Sequence, residues 1–180
     1  MQNQLDYFVS NFDIEKKIKH KMKIIQYKDL YKYKSLKTLL PNKLSILIIL
    51  INTASRSGHW TLLVRQDKLL TYFDSYGKAV DAELQYIDSS EKTVLHENKP
   101  YLSTLIDKML ADGYQLVQNN KPFQSHKNNV NTCGKYVIYV ANCILKGLDL
   151  TEIQDLLVNT RKETKQSYDN IVNHYFNNFF

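Results

Sequence analysis

Apolar and polar positions along this chain change their period several times, and the changes mark its elements. Leu44 to Ile51 is an apolar run interrupted by Ser45. It is too short to span a bilayer and reads as a buried strand. His59–Arg65 and Leu69–Phe73 read as two strands joined by a tight turn around Gln66-Asp67. Pro100 opens a helix with Leu102, Leu105, Ile106, Met109 and Leu110 on one face, and Gly113 ends it. Tyr114 to Gln118 reads as a short strand and Lys121 to Asn131 as a polar loop. Cys133 to Lys146 reads as an apolar helix closed by Gly147. Thr151 and Gln154 form a capping-box signature for the next helix. Tyr168, Ile171, Val172, Tyr175, Phe176 and Phe179 recur at helical spacing to the end. Near the start, Leu5, Phe8 and Val9 carry the same spacing over residues 1–12, while residues 78–99 are polar and show no period.

These elements predict an α+β protein with a small, mostly antiparallel sheet flanked by helices. At 180 residues, with no internal repeat, residues 1–180 read as one domain with a real core. Five Gly and three Pro exclude a linker-rich chain, and 43% apolar residues is an ordinary globular fraction. No signal peptide or membrane span is visible, so the expectation is a soluble chain, intracellular or packaged in a particle. Cys133 and Cys143 match no zinc-site spacing. Ten residues apart on one helix, their Cα atoms would lie about 15 Å apart, which excludes a bridge and fits a reducing compartment.

Charge changes the picture in one segment. The formal net charge is +6, and Lys16 to Lys43 holds ten lysines against one acid, Asp29, with Tyr27, Tyr31 and Tyr33 interleaved. Lysines such as Lys16, Lys17, Lys19 and Lys21 fit a double-stranded DNA backbone, bound without sequence preference. A solvated face explains the same residues equally well.

The candidate chemistry is an ordered set: His59-Trp60, Asp74, Gln124 and Cys133-Gly134. An imidazole can deprotonate a thiol, and a carboxylate can hold the imidazole. With the hairpin centred between Gln66 and Asp67, His59 is expected to face Asp74, Trp60 Phe73, Thr61 Tyr72, Leu63 Leu70 and Val64 Leu69. Asn131 or Thr132 is a suitable N-cap, which puts Cys133 in a first helical turn, where a thiolate is favoured. Gly134 would leave room for a substrate backbone, and free first-turn N–H groups would bind an oxyanion. Gln124 is a candidate second oxyanion donor, or a solvated loop residue. Trp60 reads as a packing residue before a substrate contact. Cys143, among Val140, Ala141 and Ile144, reads as a small buried hydrophobe. His20, His96 and His174 lack comparable contexts, and His126 is a weaker rival base.

The order His, acid, Gln, Cys, with His-Trp and Cys-Gly, resembles the adenovirus-protease and SUMO-protease clan of cysteine peptidases. Ile51-Asn52-Thr53-Ala54-Ser55-Arg56-Ser57-Gly58-His59-Trp60 is similar to the segment before the catalytic His of adenain. Phe73-Asp74-Ser75-Tyr76-Gly77 resembles its acid turn, with Asp for the adenoviral Glu. Gln124 stands further from the Cys than in that family. The resemblance implies an adenain-like fold with the nucleophile at a helix N-terminus. It implies His59 as base, Asp74 as its orienter, Cys133 as nucleophile and Gln124 in the oxyanion hole. It further implies an endopeptidase, close to virophage and polinton-type maturation proteases, cutting capsid precursors at Gly-containing sites during virion maturation. Such an enzyme is expected to act as a monomer, inside the virion and in the host cytoplasm or viral factory. It is expected to need no metal or other cofactor beyond DNA as a possible activator. With no spare surface Cys, a disulfide-linked activating peptide is not expected. The rival readings are a deubiquitinase- or SUMO-protease-like peptidase, an acyltransferase with the same triad, and a DNA-binding capsid protein.

Overall fold

The structure, a computed structural model, describes residues 4–54, 57–95, 98–127 and 129–179. Ser55 and Arg56 of the segment before His59, and His96, lie outside the described residues. Contacts divide the chain into two compact units: Lys21–Asp74 with Lys78–Asn120, and Met1–His20 with Ser75–Gly77 and Lys121–Phe180.

The first of these holds one five-stranded sheet in sequence order: β1 (Met22–Gln26), β2 (Leu44–Ala54), β3 (Ser57–Gln66), β4 (Leu69–Phe73) and β5 (Gln115–Gln118). The central pairings, β2 with β3 and β3 with β4, are antiparallel as expected, while both edge strands pair in parallel. The expected α+β class is borne out. Ile46, Leu47, Ile48 and Ile49 of β2 are all buried, which explains why its run is apolar rather than alternating. Leu47, Ile49 and Ile51 share a core with Leu63, Leu70 and Tyr72 and with Leu102, Leu105, Ile106 and Met109. Those last four line one face of α3 (Tyr101–Ala111), which follows α2 (Ser89–Leu95). Leu110, expected on the same face, is more than a third exposed. β1 was not anticipated within the lysine-rich segment; its five residues hold two β-branched side chains and no clean alternation.

The hairpin register differs from the expected one by two residues. Gln66 pairs Leu69, Leu63 pairs Tyr72 and Leu62 pairs Phe73, so the turn is Asp67-Lys68. Asp67 sits at φ 51°, a left-handed conformation that Asp adopts more readily than Gln. A shift of two keeps every side chain on its face, so apolar still meets apolar and the alternation pattern cannot distinguish the two registers.

The second unit is helical. α1 (Asn11–Lys17) starts at a reciprocal cap between Ser10 and Asp13, later than the spacing of Leu5, Phe8 and Val9 implied. α4 (Cys133–Leu145) is buried almost throughout and packs against α1, α5 (Leu150–Thr164) and α6 (Tyr168–Asn178). The α5 cap is Asp149 with Glu152, not Thr151 with Gln154. Asp149 accepts from the Glu152 N–H at 2.8 Å and its own N–H reaches the Glu152 carboxylate at 2.8 Å. A buried stripe of Ile171, Val172 and Phe176 bears out the expected amphipathic last helix.

Candidate active site

In the sheet unit, His59 lies near the start of β3 and Asp74 directly follows β4. His59 is 4% exposed and Asp74 fully buried. His59 Nε2 lies 3.1 Å from Asp74 Oδ2. The observed register, continued by one residue, sets Asp74 beside Thr61, so the pair closes diagonally and not face to face. Diagonal neighbours remain within reach of a ring and a carboxylate. Burial strengthens a bond that is charge-assisted whenever the ring is protonated.

Asn119 is a functional candidate that sequence reasoning missed. Its Oδ1 accepts from the Asp74 N–H at 3.0 Å, and its Nδ2 donates to the Asp74 carbonyl at 2.6 Å. The side chain is 1% exposed. Parallel pairing of β5 with β4 places Tyr72 against Gln118. Both strands therefore end at the same edge, and the residue after each meets the other. An Asn one residue past a weak four-residue strand gives no local signal of this role.

In the helical unit, Ser75 holds Gln124. The Ser75 carbonyl accepts the N–H groups of Phe123 and Gln124, both at 2.9 Å. Ser75 Oγ donates to Gln124 Oε1 at 2.7 Å, and Gln124 Nε2 donates to the Val130 carbonyl at 3.2 Å. A carbonyl only accepts, so this contact fixes which end of the amide carries the hydrogens. Gln124 is buried rather than solvated. Gly77 tightens the same turn: its φ is +70°, and a Cβ there would stand 2.7 Å from the Lys121 carbonyl carbon. Tyr76 stacks on His126 at 4.4 Å and 11°.

Cys133 is the first residue of α4 and partly exposed, and Cys143 is buried; neither is in a disulfide. Burial pushes the Cys143 thiol above its ordinary value. Thr132 holds the N-cap position, but its side chain makes no cap bond, contrary to the expected capping role. Its hydroxyl donates to Asp169 Oδ1 at 2.5 Å instead. Asn131 precedes the N-cap, and its Nδ2 donates to the Asp6 carbonyl. Trp60 and Gly134 are both buried.

The four lysines fall into two kinds. Lys16, Lys19 and Lys21 are exposed. Lys17 Nζ donates to the Phe176 carbonyl at 2.5 Å and sits 4.4 Å from the centre of the Phe176 ring. A cavity of about 480 Å³ lies elsewhere, lined by Lys28, Asp29, Tyr31, Asn98, Lys99 and Tyr101, and holds none of the candidate catalytic residues. Among the described residues, no group of three or more His, Cys, Asp or Glu could hold a metal ion. Among them, too, no helix is long and apolar enough to cross a membrane.

No family model matches the chain. The fold is shared with a viral protease: the ASFV pS273R protease superposes with a TM-score of 0.50 at 13% identity. That match covers 84% of this chain, which spans 62% of the length of the protease. The SUMO protease Ulp1 matches at a TM-score of 0.35 and 13% identity, over 96% of this chain and 73% of its own. In sequence, the uncharacterized protein V9 of Sputnik virophage is 32% identical over 147 residues, 81% of each chain. The chain belongs to the family of that virophage protein.

Proposed function

We propose that this chain is a cysteine endopeptidase that cleaves viral structural precursors during particle maturation. The observation that carries the reading is the buried His59–Asp74 pair, closed at 3.1 Å at one end of the sheet. Cys133 at the start of α4 supports it, since a helix N-terminus favours a thiolate. The fold shared with a viral protease and the virophage relative support a viral peptidase.

The roles follow from the chemistry. His59 Nδ1 takes the Cys133 thiol proton while Asp74 holds the ring by Nε2. The thiolate attacks the scissile carbonyl, and the C–O π pair moves onto oxygen. Gln124 Nε2 and first-turn N–H groups of α4 donate to that oxyanion. Collapse breaks the C–N bond, and the imidazolium gives its proton to the leaving amine. Water, deprotonated by His59, then cleaves the thioester. With Trp60 next to the base and Gly134 next to the nucleophile in the chain, the substrate residue expected beside the scissile bond is glycine. Double-stranded DNA, held by Lys16, Lys19 and Lys21, would act as an activator.

The test is particle production with Cys133→Ala. The expected result is capsid precursors left uncleaved, with wild-type products ending in Gly by mass spectrometry. Normal processing by Cys133→Ala particles would sink the peptidase reading.

A further inference from the structure

We propose that Asp169 is a positioning residue for the nucleophile: its buried carboxylate fixes both the turn that starts α4 and the loop that carries Gln124. The inference rests on the cysteine-peptidase reading and adds a residue that the chemistry above does not use.

Asp169 is the second residue of α6 and is 4% exposed. Its two oxygens divide their work. Oδ1 accepts from Thr132 Oγ1 at 2.5 Å and, more weakly, from Tyr136 OH at 3.4 Å. Oδ2 accepts from the Ser125 N–H at 3.1 Å. Thr132 directly precedes Cys133, and Ser125 directly follows Gln124. A single carboxylate therefore grips the neighbour of each residue assigned to the thiol side of the chemistry.

The grip on α4 also has a direction. Thr132 and Tyr136 are four apart and share one face of the helix. Holding both fixes the rotation of α4 about its axis. Cys133 lies one residue on, about 100° around the helix, so its direction is set by the same contact. Lys135 Nζ donates to Asn173 Oδ1 at 2.8 Å, one turn along α6 from Asp169, and adds a second tie between the two helices. Burial disfavours the charge of Lys135, and the Asp169 carboxylate opposes that by favouring it. An acid in a first helical turn is itself stabilised by the helix dipole, so α6 tolerates Asp169 there.

Local stability alone would not choose this arrangement. A Thr at an N-cap position is normally worth about 1 kcal/mol to its own helix by accepting a first-turn N–H. Thr132 gives its hydroxyl to Asp169 instead, so that hydroxyl does not cover the first-turn donors of α4. Donors at a helix start are what an oxyanion or a thiolate needs. A local rule broken beside the nucleophile, with a long-range partner in its place, is the pattern expected of a functional site.

The experiment compares the full-length wild type with Asp169→Asn, Thr132→Val and Thr132→Ser. The rate of Cys133 alkylation by iodoacetamide is followed against pH, with peptide mapping to separate it from Cys143. Thermal melting of each variant is recorded alongside. In Asp169→Asn and Thr132→Val the alkylation rate at pH 6.5 is expected to fall about tenfold as the midpoint moves toward the ordinary thiol value near 8.5. Thr132→Ser, which keeps the hydroxyl, is expected to retain the wild-type midpoint. Unchanged midpoints with lower melting temperatures would make Asp169 a packing residue and overturn the proposal alone. A wild-type midpoint already at the ordinary thiol value would overturn the peptidase reading, and this proposal with it. Should Asp169→Asn fail to fold, the Thr132→Val and Thr132→Ser pair reads the same contact from its other end.

Discussion

Replacing Asn119 with alanine separates the residue that holds the acid from the acid itself. Asn119 makes two bonds to the Asp74 backbone, at 3.0 and 2.6 Å, in a site where both residues are buried. A buried hydrogen bond contributes about 1 kcal/mol net, and a stranded polar group costs about 1–3 kcal/mol. Losing both bonds should therefore lower stability by about 2–4 kcal/mol, read as a shift of the urea midpoint at constant slope. The effect on activity follows from geometry. The Asp74 carboxylate must stay within bonding distance of His59 Nε2, now 3.1 Å away. Misplacement by about 1 Å at such a contact costs on the order of 100-fold in rate. The assay is cleavage of a fluorogenic peptide with Gly-Gly before the scissile bond, run well below the urea midpoint and normalised to titrated Cys133 thiol. In Asn119→Ala, kcat is expected to fall about 100-fold with KM nearly unchanged. Asp74→Asn, which also removes the charge, is expected to fall further, toward about 10⁴-fold by the serine-protease template. Asn119→Asp keeps the acceptor for the Asp74 N–H but loses the donor and adds a charge, so it should do no better than alanine. A folded Asn119→Ala enzyme with full kcat beside an inactive Asp74→Asn would refute the positioning argument.

Three other outcomes are expected. Iodoacetamide should label Cys133 well before Cys143, because burial holds the Cys143 thiol protonated; peptide mapping that finds Cys143 labelled first would exclude Cys133 as nucleophile. Desolvation holds Lys135 down to about 8 from 10.5, against the pull of Asp169 and Asp6. The unfolded chain then binds more protons between those values, so stability should rise from about pH 8 to 10.5, by about 1–3 kcal/mol after allowing for partial solvation. Urea midpoints against pH should show the rise in wild type, and it should be absent in Lys135→Met. Finally, Lys16→Gln, Lys19→Gln and Lys21→Gln should each flatten the salt dependence of double-stranded DNA binding by about 0.9 per lysine that meets a phosphate, in fluorescence anisotropy. Lys17→Gln should instead lower stability, since its amine is spent on Phe176; an unchanged slope in the first three would return the segment to a solvated surface.

Much of the fold is written in local pattern. Apolar period and end signals located the strands around Leu44–Ile51, His59–Arg65 and Leu69–Phe73, and the helices after Pro100, from Cys133 and near the chain end. They did so because burial of one face imposes a period on each element separately. The same logic placed Cys133 at a helix start, His59 on one strand of a hairpin and Asp74 just past the end of the other. It could not fix the register between those strands. A slip of two residues preserves every face, and only the left-handed backbone at Asp67 selects the observed turn. Capping signals were similarly degenerate, since Asp149-Glu152 and Thr151-Gln154 both satisfy the rule within one turn of each other.

Tertiary structure alone decided how the candidate residues are held. Asn119 on Asp74, Ser75 on Gln124 and Asp169 on Thr132 join residues 45, 49 and 37 positions apart. Each is an ordinary polar residue whose partner exists only after the chain has folded. Parallel edge strands carry the same ignorance: the partner of β5 is more than forty residues away, and nothing in Gln115–Gln118 names it. Sequence determined the reactive types and the elements that bear them, because those depend on nearest neighbours along the chain. Their support was left to long-range contacts, because a hydrogen bond between distant residues leaves no period in either segment.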